Sequence, residues 1–260
     1  MTKKEVGHNF LARLGKKRLR PGGITATNWL IEQGQFSKDS HVLEVACNMC
    51  TTSIELAQTY GCSVEGVDRD PKALEKARAN ICEAGLDELV HVQQANAMKL
   101  PFPDDSFDII INEAMLTMLG DEAMLTMLGD EAKIKAIKEY LRVLKPGGRL
   151  LTHDVSFTEE RMGEQLASLR QTINANVEPL HVANWQKLFE EQGFSSVKLN
   201  YGKMTLMSIP GMIKDEGFWG TLRITYRGLK KENRQQFLKM YRFFNKAGKD
   251  LTYIAVCSTK

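Results

Sequence analysis

The sequence predicts an α/β fold, in which a Rossmann-like, doubly wound and mostly parallel sheet carries helices on both faces. Two observations support this prediction. Short apolar runs of strand length alternate with helix-length segments between residues 41 and 94, which is the pattern of successive βα units. A chain of 260 residues that is 43% hydrophobic is also long enough to bury the core of such a sheet.

Local signals set the individual elements. Asp70-Pro71 begins a helix with proline in its first turn, and Gly85 ends it. Residues 107–111 are apolar on both faces, which predicts a central strand. The predicted strands are 41–46, 63–68, 90–94, 107–111, 149–152, 196–201 and 253–258. The predicted helices are 1–20, 28–33, 51–60, 71–84, 131–144, 159–174, 184–192 and 231–247.

The stretch from residue 41 to residue 60 is a strand, a short turn and a helix. Such a unit directs free backbone N–H groups at a ligand on the carboxyl edge of the sheet. The next strand ends at Asp68. An acid at that strand end can accept hydrogen bonds from both ribose hydroxyls. Together the two features predict a nucleoside ligand.

Two later segments, QANAMKLPFPDDSFDIII and LRVLKPGGRLL, complete a resemblance to class I S-adenosylmethionine (SAM)-dependent methyltransferases of the small-molecule type. The resemblance covers about residues 21–194. It implies transfer of a methyl group from SAM to a small molecule, with S-adenosylhomocysteine as product. It also implies that the last strand is antiparallel, and that Pro21-Gly22-Gly23 folds over the methionine end of SAM. A plain turn between two helices is the alternative for that last segment.

The resemblance, and the positions at strand ends, also assign cofactor-binding residues. Glu44 would order the first turn and the methionine end of SAM, and Asp68 would hold the ribose. The turn after the third strand would hold adenine, and Arg69 either stacks on the adenine ring or is simply exposed. The full set of expected cofactor-binding residues is Glu44, Ala46, Cys47, Asn48, Asp68, Arg69, Asn96, Ala97, Met98, Asn112 and Glu113.

The first turn departs from the family pattern, because Ala46, Asn48 and Cys50 stand where the family has three glycines. Glycine serves there for positive φ angles and for close approach of the backbone. Asparagine tolerates the left-handed conformation best among the three substitutes, so the turn can form but with a tighter pocket. Cys47 and Cys50 also spell C-x-x-C, for which a redox pair or half a metal site is the alternative. No second Cys/His cluster accompanies them, so no metal is expected.

Methyl transfer from a sulfonium depends mainly on placing the nucleophile in line, and a general base matters only for some acceptors. His153 follows a predicted strand at the likely cleft and is the candidate catalytic base. His181, Glu113 and His8 are its rivals.

A tandem repeat interrupts the domain. EAMLTMLGD occurs at Glu113–Asp121 and again at Glu122–Asp130. Nine residues turn a continuous helix by two and a half turns, so both apolar faces cannot meet one sheet. We predict a break near Gly120-Asp121, with one copy in the ordinary role. The other copy would cap the substrate site, form a homodimer contact or be a tolerated insertion.

The expected organisation is an N-terminal helical segment (1–35), a SAM-binding core (36–202), an insertion or substrate lid (203–250) and the last core strand (251–260). The expected partner is a small molecule. The net charge of +3 without an RNA-binding motif predicts no nucleic-acid partner. No run of about 20 apolar residues is present, so no membrane partner is expected.

A cytoplasmic location is expected, because residues 1–20 show no apolar run or cleavage signal of a secretory leader. Three other functions stay open. The first is a catalytically degenerate nucleoside-binding or interaction protein of the same fold, suggested by the missing glycines. The second is an RNA methyltransferase. The third is a nicotinamide-dependent oxidoreductase, whose Gly-x-Gly-x-x-Gly fingerprint is absent.

Overall fold

The computed structural model describes residues 5–119, 129–159, 163–247 and 250–260. Within them, one sheet has the strand order β3-β2-β1-β4-β5-β8-β7, with β6 paired to β5. The strands are β1 (His41–Val45), β2 (Ser63–Asp68), β3 (Val90–Gln94), β4 (Phe107–Glu113), β5 (Leu144–Phe157), β6 (Leu180–His181), β7 (Ser195–Lys203) and β8 (Leu251–Thr259). β1 to β5 are parallel, and β8 runs antiparallel to both β5 and β7. The predicted fold class is confirmed, including the antiparallel last strand.

The helices surround this sheet. They are α1 (Gly7–Leu14), α2 (Gly23–Gly34), α3 (Thr51–Tyr60), α4 (Pro71–Glu83), α5 (Gly129–Val143), α6 (Gly163–Ile173), α7 (Val182–Glu191), α8 (Ile209–Leu229) and α9 (Arg234–Arg242). A 3-10 turn at Leu116–Met118 follows β4, and a π-helical turn at Phe243–Ala247 follows α9. No helix in the described ranges is both long and apolar enough to cross a bilayer.

Apolar side chains cover both faces of the sheet because successive residues of a strand point to opposite sides. Leu43 lies in one buried cluster together with Tyr140 and Trp185 of α5 and α7. Its neighbour Val42 lies in the opposite cluster, which includes Leu30 of α2. A third cluster joins α1, α6, α8 and α9 to Leu251 of β8. β1, β2 and β4 are therefore packed on both faces of the sheet.

Several segments differ from the sequence prediction, among them α2, which begins at Gly23 rather than at residue 28. β5 covers residues 144–157 rather than 149–152, because β8 pairs with it as far as Phe157. α1 is shorter than predicted, since Gly15 adopts a φ of 103° and ends it. α8 was not predicted at all, because its glycines indicated loops. Ser208 caps that helix by accepting from the Gly211 N–H, and Gly217 supplies a kink with a φ of 73°.

The first copy of the tandem repeat packs into the core. Met115, Leu116 and Leu119 are buried in the same cluster as Leu43. Thr117 donates its backbone N–H to the Asp154 carboxylate at 3.1 Å, and its hydroxyl also bonds that carboxylate. The predicted break near Gly120-Asp121, and most of the second copy, lie outside the described residues.

Removing nine residues of the repeat should leave the fold intact. Deletion of either copy yields the same chain, because the copies are adjacent and identical. We expect the free energy of unfolding to change by no more than about 1 kcal/mol, since one copy still fills the core and the cost of closing the chain between two fixed elements depends only weakly on its length. Urea denaturation measures this. A loss above about 3 kcal/mol would show that both copies pack inside.

The same deletion separates the roles left open for the surplus copy. Analytical ultracentrifugation of both chains gives their masses in solution. A dimer that becomes a monomer on deletion supports the homodimer contact, and an unchanged mass removes that hypothesis.

Candidate cofactor and active site

Three loops meet at the carboxyl edge of β1, β2 and β3. The Cys47 N–H donates to the Val67 carbonyl at 3.0 Å, and the Asn48 N–H donates to Asp68 Oδ2 at 2.9 Å. On the other side, the Ala95 N–H donates to the Asp68 carbonyl at 3.0 Å. Asp68 therefore joins the first turn to the turn that follows β3. The structure brings together the residues that the sequence assigns to the methionine, ribose and adenine parts of a nucleoside cofactor.

The first turn has the backbone of a glycine-rich loop without its glycines. Ala46, Asn48 and Cys50 have φ angles of 59°, 49° and 58°. Each residue with a side chain in this left-handed region costs about 1–2 kcal/mol relative to a right-handed conformation. The surrounding hydrogen bonds hold the turn in that strained form. The positions that the sequence aligns with family glycines thus keep the backbone geometry that glycine would favour.

Glu44 holds the start of α3 beneath this turn. Its Oε2 accepts from the Ser53 N–H at 2.9 Å and also from the Ser53 hydroxyl. The side chain is buried, and this burial raises the pKa of Glu44 to about 7, against an opposing effect of Arg20. Glu44 therefore ties the end of β1 to the first turn of α3, and its role toward the methionine part of SAM stays a prediction.

The expected adenine turn is closed by its own side chain. Asn96 Oδ1 accepts from the Met98 N–H at 2.9 Å, and Ala97 between them is buried. The Asn96 side chain is exposed, and a carbonyl oxygen has a second lone pair that could accept from an amino group. Arg69 is exposed, and its backbone carbonyl accepts from Gln94 Nε2 at 3.0 Å.

A buried charge cluster lies at the ends of β1 and β4, and sequence reasoning missed its central cation. Arg20 contacts Glu113 Oε2 at 2.9 Å and reaches Glu44 Oε1 at 3.9 Å. Thr27 and Thr52 donate their hydroxyls to the two oxygens of Glu113 at 2.7 and 2.9 Å. Although burial opposes it, the charge of Arg20 and the hydrogen bonds from His153 and Thr27 lower the pKa of Glu113 to about 2. The only signal of Arg20 in the sequence was its place before Pro21.

His153 is adjacent to Glu113 in the sheet and is fully enclosed. Its Nε2 accepts from the Gly22 N–H at 3.0 Å, so Nδ1 carries the proton and donates to Glu113 Oε1 at 3.2 Å. Neither nitrogen is open to a methyl acceptor in this arrangement. The contact with Gly22 brings the Pro21-Gly22-Gly23 segment to His153 of β5, beside the carboxyl end of β4.

Asn112 presents an unused acceptor at the end of β4. Its Nδ2 donates to Thr152 Oγ1 at 3.0 Å, whereas its buried Oδ1 has no hydrogen-bond partner in the described part of the chain. Buried polar atoms are almost always paired, so an unpaired one at a ligand edge fits a donor group of a bound molecule.

The comparison with known families decides the class. The sequence matches a family described as a methyltransferase domain over residues 36–204. The chain belongs to that methyltransferase family. The predicted resemblance to class I SAM-dependent methyltransferases, and the predicted enzyme class, are confirmed.

Similar proteins support this methyltransferase fold. A Haemophilus influenzae protein described as uncharacterized is 57% identical over 260 residues, covering 100% of both chains. Demethylmenaquinone methyltransferase of Listeria monocytogenes is 36% identical over 166 residues, which are 60% of this chain and 64% of that protein. Phosphoethanolamine N-methyltransferase 2 of Haemonchus contortus, solved with phosphomonomethylethanolamine and S-adenosylhomocysteine, has a TM-score of 0.75 at 15% identity. That superposition covers 98% of this chain and 57% of the other.

The remaining candidate residues of this methyltransferase are two histidines and the two cysteines of the first turn. His181 caps α7, because its Nδ1 accepts from the Ala183 N–H at 3.2 Å. His8 lies on α1. Cys47 and Cys50 are both buried, and the hydrogen bond between them, together with burial, raises the pKa of the Cys47 thiol. A raised pKa disfavours the thiolate that redox or metal chemistry needs. The described residues contain no group of three or more potential metal ligands.

Proposed function

We propose that the protein transfers a methyl group from SAM to a small-molecule acceptor in the cytoplasm. The observation that carries the proposal is the position of Asp68 at the carboxyl end of β2. Its carboxylate there accepts from the Asn48 N–H of the first turn and from the Asp70 N–H. Each carboxylate oxygen already accepts one backbone N–H, from Asn48 and from Asp70, and retains capacity for one further donor. Two ribose hydroxyls would use that capacity.

The chain's own residues would divide the cofactor between them. Asp68 would hold the ribose, and the Asn96–Met98 turn, with Ala97 at its centre, would hold adenine. The strained first turn, ordered by Glu44, would face the methionine part, with Asn112 Oδ1 as a further acceptor. Bound SAM supplies a methyl group already activated on a sulfonium, so these residues need only orient it and exclude water.

His153 and Glu113 act as positioning residues in this proposal. Both nitrogens of His153 are used inside the protein, so the ring fixes Gly22 over the site rather than taking a proton from an acceptor. Residues 203–250 would cover the acceptor, because Lys214 Nζ and Asp215 bond to Thr25 and the Ile24 N–H at the start of α2.

Calorimetry with SAM and S-adenosylhomocysteine tests the proposal on the wild type and on Asp68→Ala. We expect the variant to lose roughly 10- to 100-fold in affinity, because hydrogen bonds to a charged group contribute about 1.5–3 kcal/mol. The matched control is Asp70→Ala, which removes an exposed acid two residues away that only caps α4. The control should keep wild-type affinity.

The outcomes separate the alternatives. Equal SAM affinity of Asp68→Ala and the wild type would contradict the assignment of the ribose site. Binding of S-adenosylhomocysteine without turnover of any small-molecule acceptor would favour the degenerate nucleoside-binding protein. One observation favours that second candidate, since the Glu113 carboxylate already has four partners from this chain, including Arg20 and His153.

A further inference from the structure

The carboxyl-terminal part of α8 displays large apolar side chains to solvent. Trp219 is 74% exposed, Tyr226 67% and Phe218 61%, and Leu222 and Leu229 are also exposed. Their spacing of three and four residues places them along one side of the helix. Single exposed apolar residues are common, whereas a continuous stripe of five indicates an interaction surface. We call these five residues the α8 face.

Basic side chains border the α8 face, and acidic ones are missing from it. Arg223, Arg227, Lys230 and Lys231 are exposed in this segment, and residues 217–231 contain no Asp or Glu. Lys230 Nζ lies 5.4 Å from the centre of the Tyr226 ring. The surface therefore combines aromatic and aliphatic groups with positive charge only.

The nearest acids before this segment are turned inward. Asp215 and Glu216 lie 3.1 and 3.5 Å from the buried Lys16 ammonium. Because they are buried in these ion pairs, they do not offset the positive charge of the α8 face. Glu232 is the first exposed acid after it.

Charge decides between the candidate occupants of this face. A second copy related by a two-fold axis would bring the same patch onto itself and set the basic residues of both copies together. Like charges at an interface disfavour association. An occupant with negative charge and an apolar layer beneath it matches the face better.

We infer that the α8 face binds the surface of an anionic lipid bilayer. Trp219 and Tyr226 are residues that concentrate at the level of lipid headgroups, and Phe218, Leu222 and Leu229 would enter the acyl boundary. The bordering Arg and Lys side chains would contact lipid phosphates. This departs from the expectation of no membrane partner, which considered only spanning segments. The inference does not depend on methyl transfer.

Vesicle co-sedimentation of the full chain tests the inference. The probes are phosphatidylcholine vesicles with and without phosphatidylglycerol, at low and high salt. We expect binding to the anionic vesicles that weakens with salt. Trp219→Ser/Leu222→Ser and Arg223→Glu/Lys230→Glu should each reduce it roughly tenfold or more, since apolar burial and charge both contribute.

The matched control is Tyr201→Ser, which removes an aromatic side chain that is 54% exposed on β7, outside the α8 face. It should bind like the wild type. Thermal melting of every variant establishes that the exposed substitutions leave the fold intact. Three results would overturn the inference: no binding of the wild type to anionic vesicles, unchanged binding of both double variants, or a wild-type dimer in solution that Trp219→Ser/Leu222→Ser dissociates.

Discussion

Arg20→Ala is expected to lower the free energy of unfolding by about 3–5 kcal/mol, because it leaves buried carboxylates without their cation. The guanidinium contacts Glu113 at 2.9 Å and lies 3.9 Å from Glu44, and all three side chains are largely or fully buried. Water cannot replace the lost partner without opening the contact between the amino-terminal segment and the sheet. Urea denaturation at neutral pH measures the loss.

Two further variants make this prediction specific. Arg18→Ala is the matched control, since Arg18 pairs with Glu55, which is about a third exposed and can be hydrated once its partner is gone. That variant should lose no more than about 1 kcal/mol. Adding Glu113→Gln to Arg20→Ala should recover part of the stability by removing an unpaired charge. A loss below about 1 kcal/mol for Arg20→Ala, or no recovery, would show that the cluster is hydrated.

Between about pH 4.5 and pH 7 the wild type should lose stability as the pH rises, and Glu44→Gln should remove this loss. The folded-state pKa of Glu44 is about 7, against an ordinary value of 4.5. In that interval the folded chain binds more protons than the unfolded chain, so the free energy of unfolding of the wild type decreases as the pH rises. At about 1.4 kcal/mol for each pH unit, the full effect is about 3 kcal/mol. Above pH 7 the curve should be flat with respect to this residue.

Denaturation of both proteins across pH 5 to 8 checks this prediction, and the difference between them cancels other titrating groups. The titration of Glu113 does not overlap this pH interval, because its pKa of about 2 places its effect on stability at lower pH. Glu75→Gln, on the exposed side of α4, is the control and should run parallel to the wild type. Parallel curves for Glu44→Gln and the wild type would contradict the raised pKa.

The sequence predicts the nucleotide half of the fold well, because its signals are local. Asp70 caps α4 by accepting from the Lys72 N–H, as expected for Asp-Pro at a helix start. The strand, turn and helix around residues 41–60 keep their predicted bounds within one residue. Even the positive φ angles of Ala46, Asn48 and Cys50 follow from the family positions they occupy.

The parts that were missed depend on contacts between distant residues. Arg20 meets Glu113 across more than ninety positions of the chain, and no spacing rule connects them. The glycines of α8 indicated a loop in the sequence, because helix propensity disfavours glycine. In the folded chain, the burial of Met212 and Ile224 outweighs that cost. The enclosure of His153 likewise comes from Gly22, which approaches it only in the folded state.

The first copy of the repeat begins inside the sheet, because its first residue, Glu113, is also the last residue of β4. Asn112 and Glu113 pair with Thr152 and His153 in consecutive register, so the chain cannot leave the sheet between them. The register of β4 is thus fixed by its pairing with β5 through Glu113, the first residue of the first copy.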